Sequence, residues 1–198
     1  MINYMTKCGN VIKRALHRAS QRLEAIWELG QKDWMLKLDQ LCADLHALGI
    51  RAEITQDDPT HKGFIRVISI AQSPVRWVKL TGVGQSDDFE WIIEYWIPDS
   101  RHLPGLEISS YRAGDDVRWE GDNKDTGIAE ILSNDRAIVN AILNTGDSLK
   151  VKTSPKNNYW IISDPINPIW WHRPVLRLDQ WDCCEKIAAF LLATAISV

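Results

Sequence analysis

The chain has 198 residues, 45% of them hydrophobic and 25% charged, with a formal net charge of −3. These values describe a folded domain and argue against disorder. The mild acidity gives no global attraction to nucleic acid or to an anionic membrane. A single α+β domain over residues 1–198 is the economical reading, in three parts: helical 1–49, an antiparallel sheet over 50–124, and a third part over 125–198.

In chain order, residues 1–23 carry Lys7, Lys13, Arg14, Arg18 and Arg22 with no acid before Glu24, a superficial likeness to a transit peptide. The apolar spacing Val11, Ile12, Leu16, Ala19, Leu23, Ile26, Trp27 runs straight through that stretch and predicts an ordinary amphipathic helix instead. The stripe breaks at Gly30 and resumes as Trp34, Leu38, Leu41, Cys42, Leu45, Leu48, with Gly49 as the expected C-terminal stop. From Arg51 the period changes to two. Strands are expected over 51–56, 63–71, 75–81, 89–97, 106–112 and 116–120, joined by turn-rich segments short enough for an antiparallel meander.

Residues 125–144 read as helical, with "SND" as a break or a cap. A hairpin follows, "SLKVKT" and "YWIIS" about a "SPKNN" turn, then the Pro-rich stretch "PINPIWWHRP" and a final helix from near Asp179. The terminal run "IAAFLLATAISV" is too short to span a bilayer, which takes about 18–20 apolar residues, and reads as a core helix. The element order of helix, strands, helix, two strands and helix resembles that of the small acidic chaperones of bacterial secretion systems, although no residue motif accompanies it. That resemblance implies a chaperone-like accessory role.

Signatures of catalysis are missing. "GVGQS" has its glycines at the wrong offsets for a nucleophile elbow, and there is no phosphate-binding loop. His17, His46, His61, His102 and His172 are scattered without zinc-ligand spacing. Glu90 and Glu94 share a strand face but lie about 13 Å apart, too far for glycosidase chemistry, which needs roughly 5–9.5 Å. No cofactor or metal is expected, and an enzyme would need a dispersed site. The cysteines, Cys8, Cys42, Cys183 and Cys184, form no CxxC; reduced thiols in a cytoplasmic protein are the expectation.

Charge and aromatic residues carry the remaining signal. From Asp87 to Asp125 there are eleven acids and four bases; from Lys150 to Arg177 the balance reverses, with Asp164 the lone acid. Lys150, Lys152, Lys156, Trp160, Arg173 and Arg177 together have the basic, aromatic composition of a nucleic-acid groove. Trp170, Trp171, His172 and Arg173 form the alternative, a partner-binding surface, since Trp and Arg are enriched in binding hot spots. Trp27, Trp34, Trp77, Trp91 and Trp181 fall at core positions, leaving Trp96, Trp119, Trp160, Trp170 and Trp171 as the candidates for exposure. The reading that follows is a non-enzymatic cytosolic protein-binding module, an accessory or chaperone-like subunit, with a nucleic-acid-associated factor as its rival.

Overall fold

The structure, a computed structural model, describes residues 34–56, 66–83, 90–121, 127–146, 148–165 and 176–194. The chain divides into two compact units, Met1–Lys37 and Leu38–Val198. Of the first, residues 34–37 are described and are helical. The N-terminal basic stretch and the 165–174 stretch beyond the backbone of Pro165 lie outside the described residues.

In the second unit residues 38–47 are helical (α1) and bury Leu38, Leu41, Cys42 and Leu45, the stripe expected from their spacing. Gly49, at φ +79°, ends the helix. Its N–H donates to His46 O and that of Ile50 to Leu45 O, a paired closure that requires the left-handed backbone glycine adopts freely. The strands are β1 (Ala52–Thr55), β2 (Val67–Ile70), β3 (Trp77–Val83), β4 (Glu90–Pro98), β5 (Glu107–Ala113), β6 (Asp116–Gly121), β7 (Lys150–Ser154) and β8 (Tyr159–Pro165). The remaining helices are α2 (Ile128–Asn134), α3 (Arg136–Thr145) and α4 (Leu178–Ala193). The "SND" break is a cap: the Asp135 side chain accepts from the N–H groups of Ala137 and Ile138 and starts α3.

All strands join one antiparallel sheet in the order β1-β2-β3-β4-β8-β7-β5-β6. The fold is therefore α+β. The expected meander holds from β1 to β4 and then stops, because the β7–β8 hairpin inserts between β4 and β5. Apolar burial explains this. Trp160, Ile161 and Ile162 on β8 are all buried, so β8 is driven to the sheet's centre, while the four-residue β1 and the charged β6 remain as edges.

Alternation then gives the sheet two faces. On one, Ile93, Tyr95 and Ile97 of β4, Trp160 and Ile162 of β8, Val151, Ile108, Val117 and Trp119 are buried. Phe89 and Trp91, expected on this face, have no described side chains. The Tyr95 ring meets Trp181 of α4 edge-on at 6.2 Å between centroids. Burial drives the Tyr95 hydroxyl well above the ordinary tyrosine range, reinforced by Cys184 and the buried Asp164. Three of the candidates for exposure are instead buried: Trp96 at 8%, Trp119 at 4% and Trp160 at 0% exposure. Trp119 lies on the strand that α2 packs against, Trp160 at the sheet's centre, and Trp96 edge-on to Tyr159.

One polar network ties strands to helix. Asp99 follows β4 and its side chain is 3% exposed. It accepts from the Arg101 backbone N–H (2.9 Å), from the Arg101 guanidinium (2.5–3.1 Å) and from the Trp160 indole N–H (2.9 Å). Arg101 also donates to Leu191 O and Thr194 O, carbonyls that α4 leaves open at its C-terminus. Burial alone would raise the Asp99 carboxyl, but the hydrogen bonds from Arg101 and Trp160 outweigh it and hold its pKa below the ordinary aspartate value.

Two outcomes are expected. Asp99→Asn should destabilise the protein at pH 7 by about 2 kcal/mol or more, since it leaves a partly buried guanidinium without its counter-charge. Because the folded pKa is depressed, wild-type Asp99 contributes its full stability above the unfolded value near 4 and loses it as pH falls through the folded value. Urea melts between pH 7 and pH 3 should therefore show a shallower acid loss in the variant; parallel curves would count against the network. At Gly121 an added Cβ would stand 2.2 Å from Glu107 O. Gly121→Ala should accordingly lower the thermal midpoint, by roughly the 1–3 kcal/mol typical of overpacking.

Candidate functional site

The second sheet face is built from the alternate residues of the same strands, and register fixes which side chains meet. One row across the sheet reads Lys79, Glu94, Ser163, Lys150, Ser109, Glu120, and the next reads Trp77, Trp96, Ile161, Lys152, Glu107. Adjacent rows place acids diagonal to bases. Lys150 Nζ lies 2.8 Å from Glu107 Oε1. Lys152 Nζ reaches across β8 to Glu94 Oε1 at 2.9 Å. Glu94 accepts in addition from the Trp96 indole N–H at 3.1 Å, and Lys79 Nζ sits 3.7 Å above the Trp96 ring centroid.

Tyr159 closes this group. Its ring stands edge-on to Trp77 at 5.5 Å and to Trp96 at 5.6 Å. Trp77 and Tyr159 are half-buried, while Lys79 and Trp96 are buried. The result is a strip of alternating cation, anion and ring along the middle of the face. It offers packing area and both signs of charge. It offers no nucleophile paired with a base, and among the described residues no group of three or more His, Cys, Asp or Glu is placed to hold a metal ion.

The structure scatters the residues expected to bind nucleic acid. Lys150 and Lys152 do share this face, yet each contacts a glutamate. The salt bridge with Lys150 holds the Glu107 carboxyl below its ordinary range. Trp160 points to the opposite, helix-covered face, where no base could stack on it. Arg177 precedes α4, donating to Asp179 Oδ1 at 3.0 Å and to Thr145 O at 2.7 Å. Lys156 is exposed in the β7–β8 turn. Arg173, and with it Trp170, Trp171 and His172, lies outside the described residues. The ends of that stretch are nonetheless anchored: β8 runs to Pro165, paired with Ile92, and Leu176 on the far side is buried.

Sequence reasoning missed two separate groups: Asp99 with Arg101, and Lys79 with Glu94 about Trp96. Glu94 was legible as the outward member of a strand but not as a carboxylate only 12% exposed, shared between an indole and a lysine. Sequence spacing does not reveal the pair, because its lysine partner lies 58 residues away.

No protein-family model matches the chain, and no curated protein or solved structure matches it either. Among the described residues no helix is long and apolar enough to cross a membrane.

The Glu94–Lys152 pair gives a direct check on this face. A double-mutant cycle with Glu94→Gln and Lys152→Met should return a coupling of about 0.5–1 kcal/mol at low salt, less at high salt, as for a partly exposed pair. Additive effects would mean the two side chains act independently.

Proposed function

We propose that this chain is a non-enzymatic, cytosolic protein-binding module, an accessory or chaperone-like subunit that contacts its partner through Trp170, Trp171, His172 and Arg173. The observation that carries the reading is the commitment of Lys150 and Lys152 to Glu107 and Glu94. Phosphate binding needs cations whose counter-charges are mobile ions, released on association. Lysines already matched to fixed carboxylates release none, so the basic segment favours a protein surface of mixed sign over a nucleic-acid backbone. Among the described residues Cys42, Cys183 and Cys184 form no disulfide, which fits a reducing compartment.

The contact stretch suits the role. It lies between the end of the central strand β8 at Pro165 and the buried Leu176 that precedes α4. Trp170 and Trp171 project to opposite sides if the chain between the prolines is extended. One indole then packs inward and the other, assigned to Trp171 with Arg173 beside it, faces a partner.

Two measurements test this. Trp170→Ala should cost about 3–5 kcal/mol of stability, the usual loss for a packed Trp. Trp171→Ala should leave stability within about 0.5 kcal/mol and weaken partner capture by about 2 kcal/mol or more. Loss of stability in both variants with unchanged capture would reject the binding role. Fluorescence anisotropy with a single-stranded oligonucleotide at about 50 mM salt should show no binding; tight, steeply salt-dependent binding lost in the Lys150→Glu, Lys152→Glu variant would instead establish the rival reading.

A further inference from the structure

The sheet's β6 edge carries an arrangement that goes beyond partner binding. Trp119 pairs with Ser110 of β5, but Ser110 sends its own N–H the other way, to Leu149 O. Trp119 likewise turns its N–H away from β5, and Ser133 Oγ of α2 accepts it at 2.9 Å. Alternation in an antiparallel ladder turns the backbone groups of Val117 and Gly121 outward as well. The Val117 N–H is taken by the Asp116 side chain at 3.0 Å. Ser133 holds its position by donating to Ala129 O at 2.7 Å. Side chains thus occupy the donors that would otherwise extend the sheet.

The strap that supplies Ser133 is slight. Helix α2 has seven residues, and its N-cap, Gly127, provides no side-chain bond. A helix that short is marginal without its packing, here Ile128 and Leu132. Beneath it, β6 reads "DVRWEG", and its charges are self-complementary. If two copies pair antiparallel about Trp119, Val117 faces Gly121 of the second copy, and Arg118 faces Glu120 of the second copy twice over, on the face away from α2. Opposite charges directly across strands favour such a pair.

We propose that α2 is a latch over a dimerisation edge: Ser133 and the Trp119 carbonyl of a second copy compete for the same Trp119 N–H, and release of the latch allows β6 to pair with β6. The closed form keeps the edge from pairing; the open form is a symmetric dimer joined through one continuous sheet.

Sedimentation velocity on Ser133→Ala tests the latch, with circular dichroism confirming that the variant is folded. Relative to wild type at equal concentration, Ser133→Ala should shift from monomer towards dimer, and at dilutions where it is monomeric its Trp119 amide should exchange faster than in wild type. Adding Arg118→Glu should return it to monomer, because a carboxylate then stands against Glu120 of the second copy at both cross-strand pairs. Adding Glu120→Arg to that variant restores opposite charges and should restore the dimer. A monomeric Ser133→Ala overturns the proposal, as does self-association indifferent to the charge swap. Should Ser133→Ala not fold, Ser133→Cys, which keeps the size but accepts a hydrogen bond only weakly, is put through the same charge series with the same outcomes.

Discussion

A buried carboxylate must have its hydrogen bonds, and Asp99 obtains them from three groups on two residues. Its acceptors are filled by the backbone and guanidinium of Arg101 and by the indole of Trp160 on the central strand. Arg101 in turn holds the terminal carbonyls of α4. An isolated charge at 3% exposure would cost several kcal/mol, so the network is stable only when β8 and the end of α4 stand where they do. That constraint helps account for the strand order. With Trp160 tied to Asp99 beyond the end of β4, β8 lies beside β4, and the β7–β8 hairpin separates β4 from β5.

Placing the hairpin there also resolves the segregated charge. In the linear chain an acidic middle precedes a basic stretch, which resembles a bound polyanion's footprint. In the sheet β7 lies between β8 and β5, one strand from β4, so Lys150 and Lys152 fall among the glutamates of the acidic segment. Two blocks of opposite sign, distant in sequence, become one face of alternating sign. Each pair is partly exposed and worth only about 0.2–1 kcal/mol, so register specificity is the larger consequence. A one-residue slip of β7 would send both lysines into the apolar side of the sheet.

The sequence made the elements readable where periodicity and chain punctuation agree. The α1 stripe ends at Gly49, the change of period at Arg51 opens the strands, and "SND" announces the cap of α3. Strand order was not readable, because it depends on which strand is most apolar on both sides and on a tie between Asp99 and Trp160 that lies 61 residues apart. The tryptophans misled for a related reason. Periodicity left Trp96, Trp119 and Trp160 outside the expected core in a linear reading. In the fold Trp119 and Trp160 are buried on the helix-covered face, and Lys79 covers the ring of Trp96. A local pattern cannot distinguish a lysine that solvates a face from one that roofs an indole.

Much of the chemistry that sequence alone would assign to ligands is spent within the sheet. Lys150, Lys152, Arg101 and Arg177 each contact a carboxylate or a backbone carbonyl. Trp160 gives its indole N–H to Asp99 and Trp96 gives its own to Glu94. Polar groups paired in this way add rigidity to the sheet. Under the proposed partner-binding role, the 165–174 stretch supplies Trp and Arg side chains, the types that concentrate binding energy. On that proposal the segment runs between two described anchors, Pro165 at the end of β8 and the buried Leu176 ahead of α4, which limits the conformational entropy that binding would cost.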